Sequence, residues 1–549
     1  MKPDRLNHAS PALRLAALAA AAAFALAGCG PGRPERPPCP AGKVCLEYGN
    51  SNDPTSLDPH KISLVAENAL VGDLMVGLVE DGPDGAPVPG LARSWETSGD
   101  GLVWTFHLRP ALWSDGAQVT ADDFVFSFRR ILDPRTASPY AYLLYLLKNG
   151  QAVNAGRLDP SRLGVRATDD HTVEVTLEHP APYFLQIAKF PSLYPVPRHV
   201  VQRYGDAWSD PGHFVSDGPY RPVSWKLGDH VEVVKNPRFY DAAHVCIDRI
   251  DYYPTNDSVS AERRVKRGEL DVNTSIQSNR VPYLRRPDQI PAYVHVRQFI
   301  ATFYLAFNTR DVPALKDPRV RQALSMAVDR GFITGKLLRA GQASAYAFVP
   351  PGVADYRAGP RTYWADWSFA RRQAEARRLL AQAGFGPSHP LSFTLTLPNT
   401  PDPMLYTPAI QADWKAVGVK AALVLNEAQV AFDAYKNRDF QVGLASWIGD
   451  YNDPMTFLAL MQSQTGQQNY GDYANPAYDA LLDKADHEVD IAARAGDLAQ
   501  AEQVMLQDAA VAPLYFTVSR NLVAPAITGW VDNITDTHRA RYLCMKGRG

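Results

Sequence analysis

Leu391-Ser-Phe-Thr-Leu-Thr-Leu397, a helical run near 405–416 and Ala421-Ala-Leu-Val-Leu425 read in order as strand, helix and strand. Strands alternating with helices imply an α/β lobe with a partly parallel sheet, since a helix carries the chain back to begin the next parallel strand. The alternation continues upstream. Asp317-Pro318 opens a helix through Val328, with proline at the first helical position, where a missing N–H costs nothing. Another helix runs from about Ser368 to Ala383 and stops at Gly384, a residue type that readily turns left-handed after a helix end. Downstream, Val511-Ala-Pro-Leu-Tyr-Phe-Thr-Val518 returns to strand.

The front half is richer in turns. Val103-Trp-Thr-Phe-His-Leu108 alternates as a strand, and Trp113-Ser-Asp-Gly116 is a turn. Thr120 is a good N-cap for the helix that begins Ala121-Asp-Asp-Phe-Val-Phe-Ser-Phe128, whose Phe124 and Phe128 share a face. Lys43-Val-Cys-Leu-Glu-Tyr48, Val231-Glu-Val-Val234 and Ile247-Asp-Arg-Ile-Asp-Tyr-Tyr253 are strand-like. A turn-rich front and an α/β rear imply lobes joined by crossing segments.

Composition bounds the function. The chain has 549 residues, 46% hydrophobic and 21% charged, enough apolar content for a substantial core. Its formal charge of −2 argues against nucleic acid, which requires a basic field. Enzyme signatures are missing: there is no G-x-S-x-G, H-E-x-x-H or G-x-G-x-x-G. Gly331-Phe-Ile-Thr-Gly335-Lys336 is one residue short of a phosphate loop, and Leu337 replaces the hydroxyl that would hold magnesium. His171 and Glu174 sit three apart on an alternating strand, so they face opposite sides. Asp122-Asp123 and Asp169-Asp170 fall at turns or helix starts, where carboxylates satisfy backbone N–H groups. No catalytic residue, cofactor or metal site is expected.

Lys2, Arg5 and Arg14 precede the uncharged run Leu15–Gly28, too short to span a bilayer and of the form of a secretory leader. Its end, Leu26-Ala27-Gly28-Cys29, resembles a bacterial lipobox, so residues 1–28 are expected to be removed and Cys29 lipidated. Residues 29–38 then read as a tether rich in Pro, Gly and Arg, and the mature protein as extracytoplasmic and membrane-anchored. Cys39, Cys45, Cys246 and Cys544 remain; an oxidising compartment favours two disulfides among them, and three pairings are open.

Several segments, in this order, resemble the extracytoplasmic oligopeptide-binding proteins of ABC importers, solute-binding protein family 5. They are Ser56-Leu-Asp-Pro-His-Lys61, Gly90-Leu-Ala-Arg-Ser-Trp95, Leu102-Val-Trp-Thr-Phe-His-Leu-Arg109, Trp113-Ser-Asp-Gly116, Val119-Thr-Ala-Asp-Asp-Phe-Val125, Asp133-Pro-Arg-Thr-Ala-Ser-Pro-Tyr140, Asp317-Pro-Arg-Val-Arg-Gln-Ala-Leu324 and Trp447-Ile-Gly-Asp-Tyr-Asn-Asp-Pro454. The resemblance covers about residues 43–545 and implies a two-lobed α/β periplasmic-binding-protein fold of the class II type with an extra domain, the ligand enclosed between the lobes. Mapped onto this chain, domain I is 39–75, 200–300 and 515–549, domain II is 76–199, and domain III, the opposite lobe, is 301–514. Closure is expected about the crossing segments near 300 and 515.

The resemblance also implies a site. Asp450, in Ser446-Trp-Ile-Gly-Asp-Tyr-Asn-Asp-Pro454, matches the aspartate that receives the ligand's N-terminal amine; turn chemistry, with Asp450 bonding its own backbone, is the rival reading. Ser446, Trp447 and Ile448 would offer backbone to the ligand, with core packing the rival role for Trp447. Val65 would offer backbone from the other lobe, and Tyr140 would close over the peptide main chain. Lys436 keeps a cation near the carboxylate end, where basic residues of the family are replaced by Leu444, Met404 and, near Arg339, Leu338. The expected function is capture of oligopeptides and delivery to permease and ATPase subunits by a monomer. Alternatives are a modified cell-wall peptide or non-peptide solute in the same fold, an extracytoplasmic peptide hydrolase, and a surface sensor or adhesin.

Overall fold

Two long strands, Val294–Phe307 and Val511–Val523, run antiparallel side by side through the middle of one large sheet. The computed structural model describes residues 37–356 and 359–546. The expected leader at 1–28 and Cys29 therefore lie outside the described residues. Residues 37–41, the described end of a separate N-terminal unit, are irregular, and the large sheet with its helices belongs to the unit 42–549.

From one edge, the sheet runs Lys420–Asn426, Ser392–Pro398, Val442–Ile448, Val294–Phe307, Val511–Val523, Val272–Asn273, Cys45–Gly49, Arg249–Tyr253, His230–Lys235 and Tyr220–Lys226. Strands from the rear of the sequence thus lie to one side of the central pair and strands from the front to the other. Ser392–Pro398 pairs in parallel with Lys420–Asn426, from Ser392 opposite Lys420 to Pro398 opposite Asn426, as strand–helix–strand order requires. Cys45–Gly49 and Arg249–Tyr253 are also parallel, whereas the central pair is antiparallel. The sheet is mixed and the fold is α/β with two lobes.

The central ladder is interrupted. Gln298 pairs with Val518 and Thr302 with Phe516, and the register shifts between them. Within that interval Ile300 turns to other partners: its N–H donates to Ile534 O at 2.9 Å and its carbonyl accepts from Gly449 N–H at 2.8 Å. Such a break bends a strand and re-aims its side chains, and Phe299 and Ile300 here face a large cavity.

Local chemistry places the helices. Thr120 N–H donates to Asp123 Oδ2 at 3.0 Å at the start of Ala121–Leu132, and Phe124 and Phe128 are buried. Asp317 accepts from Arg319 N–H at the start of Pro318–Met326, and Ser368 from Arg371 N–H at the start of Phe369–Gln382. Gly384 has φ of +89°, the left-handed geometry expected after that helix. The helix expected near 405–416 begins earlier, at Pro401, because a proline fits the first helical position without losing a hydrogen bond. Residues 330–338 are helical rather than a phosphate loop; buried Arg330 donates to the carbonyls of Ala345, Pro513 and Ser325.

Helices Pro318–Met326, Phe369–Gln382 and Pro401–Ala416 cover the rear sheet over a core that includes Leu324, Leu379, Leu395, Ile410 and Trp414. A larger core lies beneath an antiparallel four-stranded sheet ordered Ala92–Thr97, Val103–Leu108, Thr172–Thr176, Val165–Asp169 and continues into the rear half of the chain through Tyr435, Phe457 and Leu498. Cys246 is bridged to Cys544, Cα atoms 5.3 Å apart, which eliminates the two pairings that would join either residue to Cys39 or Cys45.

Candidate functional site

The site begins as an unfinished strand edge. Val442–Ile448 pairs along its whole length with Val294–Phe307, yet with Ser392–Pro398 only at Val442 and Gly443. Beyond Gly443 the strands part, and the hydroxyl of Tyr435 enters the split, reaching Thr396 O at 2.9 Å and Leu444 O at 3.0 Å. Antiparallel pairs alternate between bonded and unbonded. Because Gly449 N–H bonds Ile300 O, the register gives Trp447 to Thr302 and Ala445 to Tyr304 as bonded pairs. Ser446 and Ile448 therefore turn their N–H and C=O outward, on the unpaired edge. Trp447 spends its backbone within the sheet, which corrects its expected role as a backbone donor to ligand; its indole packs partly against the core and lines the cavity.

That edge borders a cavity of about 860 Å³, within the range of small-ligand sites. All seven sequence candidates, Asp450, Trp447, Tyr140, Val65, Ser446, Ile448 and Lys436, line it. From the front lobe, Val65 is 57% exposed at the start of helix Val65–Leu74, where the first N–H groups have no intrahelical acceptor. Glu67 secures this approach, accepting from Thr55 on one oxygen and from the N–H groups of Ser63 and Leu64 on the other. Tyr140 sets its ring edge-on to Phe190, centroids 4.7 Å apart, and its hydroxyl points at Ser63 O, 3.4 Å away.

Asp450 ends the free edge. Its N–H donates to Thr456 Oγ1 at 3.1 Å, and its Oδ2 accepts from the Tyr142 hydroxyl at 2.5 Å. Among the described residues no cation comes within ion-pair distance of it. Burial pushes its carboxyl up to about 6, against the Tyr142 hydrogen bond, which favours the ionised form. The turn chemistry of the segment falls to Asp453 instead, which caps Met455 N–H and pairs with Arg494. Of the basic side chains that line the cavity, Lys189 and Arg539 both bind Asp81, at 2.7 and 2.6 Å, and the His538 ring lies 2.9 Å from Asp536. Lys436, half-buried, has no ion-pair partner among the described residues.

Leu444, Met404 and Leu338, expected at the carboxylate end, do not line the cavity. Leu444 and Leu338 are sealed in the rear core, and Met404 is 49% exposed on its helix. Tyr142 went unnoticed in the sequence; the available signal was its place two residues after Tyr140 in Tyr140-Ala-Tyr142. Among the described residues one trio of potential metal ligands, His230, Glu232 and Asp251, has donor atoms within 4.8 Å, but Asp251 is engaged by Arg249 at 3.2 Å and the trio lies off the cavity.

Residues 86–469 match the model of bacterial extracellular solute-binding proteins, family 5 Middle. The chain belongs to this family. It is 38% identical over 510 residues to the periplasmic oligopeptide-binding protein OppA of Salmonella typhimurium, covering 90% of this chain and 92% of that one. The solved structure of the Escherichia coli murein tripeptide binding protein MppA superposes with a TM-score of 0.83 at 34% identity, covering 92% of this chain and 99% of the other. Haemophilus influenzae OppA in complex with RPPGFSPFR gives 0.82 at 30% identity, covering 92% and 99%. The fold is therefore the two-lobed periplasmic-binding-protein fold, and the protein is an extracytoplasmic solute-binding protein, not an enzyme. No helix among the described residues is long and apolar enough to cross a membrane.

Proposed function

We propose that this protein captures oligopeptides by their backbone and N-terminal amine and delivers them to an ABC permease. The observation that carries this reading is Asp450, a carboxylate without a cationic partner among the described residues that opens onto a large cavity beside a free strand edge. A carboxylate so placed gains most from an arriving ammonium, because charge and hydrogen bonds are satisfied together. Ser446 and Ile448 offer an extended ligand the N–H and C=O groups of an added strand, which grips main chain without reading side chains. Val65 and Tyr140 close from the front lobe, Lys436 faces a ligand carboxylate, and the remaining volume admits water between protein and varied side chains. The likeness to OppA of Salmonella and to the Haemophilus complex supports the same ligand class.

In this reading 39–75, 200–300 and 515–549 form domain I, 76–199 domain II and 301–514 domain III. The lobes close by bending where the ladder breaks between Gln298 and Thr302. Cys29 carries the lipid that holds the monomer at a membrane. Native mass spectrometry of protein purified without denaturant tests the assignment: co-purified peptides are expected, and a stripped protein that takes up none from a mixed tri- to pentapeptide pool would overturn it. A cell-wall peptide is the second reading, favoured by the likeness to MppA and by Lys436 being the one unpaired cation among the described lining residues.

A further inference from the structure

Tyr142 reaches across the cavity. It belongs to the short turn Ala141–Leu146 of the front lobe, and its hydroxyl meets Asp450 Oδ2 at the end of Val442–Ile448 in the rear lobe. Its ring leans on Tyr140, centroids 6.0 Å apart. Two further phenols, Tyr140 and Tyr451, feel this carboxylate; beyond them stand Glu67, which also acts on Tyr140, and the paired Arg494 and Asp453, which act on Tyr451, and no cation among the described residues is paired with Asp450 itself. The carboxylate that the peptide reading reserves for an ammonium thus already accepts a hydrogen bond from a neutral hydroxyl of the protein itself.

We propose that Tyr142 sets the affinity and selectivity of the amine site by standing in for the ligand, so that an incoming ammonium must displace its hydroxyl from Asp450. The proposal rests on the peptide reading and adds to it a residue of the protein that competes with the ligand's amine for Asp450. A phenol offers Asp450 one neutral donor, while an ammonium offers three donors and a full charge, and charge-assisted hydrogen bonds are the stronger kind. An ammonium therefore wins the exchange. An acylated N-terminus, with one N–H and no charge, does not compensate for the lost hydroxyl bond and is turned away. Displacement also lowers the net gain from a genuine ligand, which keeps binding reversible for hand-over. Because the stand-in comes from the opposite lobe, it satisfies the half-buried carboxylate without filling the rest of the cavity.

Tyr142→Phe keeps the ring and removes the hydroxyl, and a thermal melt checks that the fold is retained. Stripped wild type and variant are titrated by calorimetry with a free-amine tripeptide pool and its N-acetylated form, and the Asp450 carboxyl is titrated by carbon NMR in both peptide-free proteins. The proposal expects the variant to bind the free-amine pool several-fold more tightly and its Asp450 midpoint to move up, since the lost bond favoured the ionised form. Weaker or unchanged binding would overturn it, the first by making the hydroxyl a contact to bound peptide. If neither pool binds either protein, the peptide reading fails, and the NMR arm still decides: a raised midpoint supports Tyr142 as the occupant of Asp450, and an unmoved one overturns it.

Discussion

Arg494 and Asp453 face each other through two hydrogen bonds of 2.7 and 2.9 Å, each side chain only 4% exposed. The pair explains how one short segment holds two aspartates with different fates. Asp453 has its charge balanced within the rear lobe, while Asp450, three residues earlier, is left to the cavity. Arg494 also lies over the ring of Tyr183, 4.3 Å from its centroid, and Tyr183 stacks on Tyr451 between the two aspartates. The segment is thereby packed against the front lobe.

Arg494→Ala leaves Asp453 buried without its partner, so a loss of about 3–5 kcal/mol in unfolding free energy is expected. Denaturant titration checks it. A loss below about 1 kcal/mol would mean that the pair behaves as an exposed one and does not fix the segment.

Glu502 predicts a pH dependence. Its carboxyl is pushed by burial up to about 7, against hydrogen bonds from Tyr356 and from the N–H groups of Val349 and Phe348. In the unfolded chain the group ionises near its ordinary 4.5. Below that value both states are protonated and nothing is lost; as pH rises from 4.5 through 7 the unfolded state ionises first, and stability falls. The full penalty, of order 3 kcal/mol, is present above pH 7. Asp73 and Asp413, each raised to about 6 by burial, act in the same direction. Thermal unfolding at pH 5 and pH 8 should show Glu502→Gln with a smaller decline than wild type; equal declines would contradict the assignment.

The parts of the fold legible in the sequence are those set by neighbouring residues. Thr120, Asp317 and Ser368 bond groups two or three positions on, and Gly384 needs only its own backbone freedom. The alternation of Val103–Leu108 likewise records one buried and one open face. The central strands were harder to read. Val294–Phe307 changes its partners at a register shift, so no single alternation runs through it. At the site, Asp450 was legible through its segment, but the free edge depends on Ser392–Pro398 parting from Val442–Ile448, and Tyr142 meets Asp450 from 308 positions away. The burial of Leu444 is not legible locally, because a strand residue's face is set by register with its neighbours, and here that face is core.

The Cys246–Cys544 bond spans a sequence separation of 298 and ties Cys544–Met545 to the segment before Arg249–Tyr253. Replacing both cysteines with serine should cost about 2–5 kcal/mol, chiefly by loosening the unfolded chain's constraint. Unfolding under non-reducing conditions checks this, and an unchanged midpoint would show that the bond adds nothing.

Receipt of a ligand amine by Asp450 is the centre of the proposed function. Stripped wild type and Asp450→Asn, titrated by calorimetry with a mixed tri- to pentapeptide pool and its N-acetylated form, test it most directly. Wild type is expected to bind the free-amine pool, with a loss of about 2–5 kcal/mol on acetylation or in the variant. Equal affinity across all four titrations, or binding of the acetylated pool alone, would contradict it.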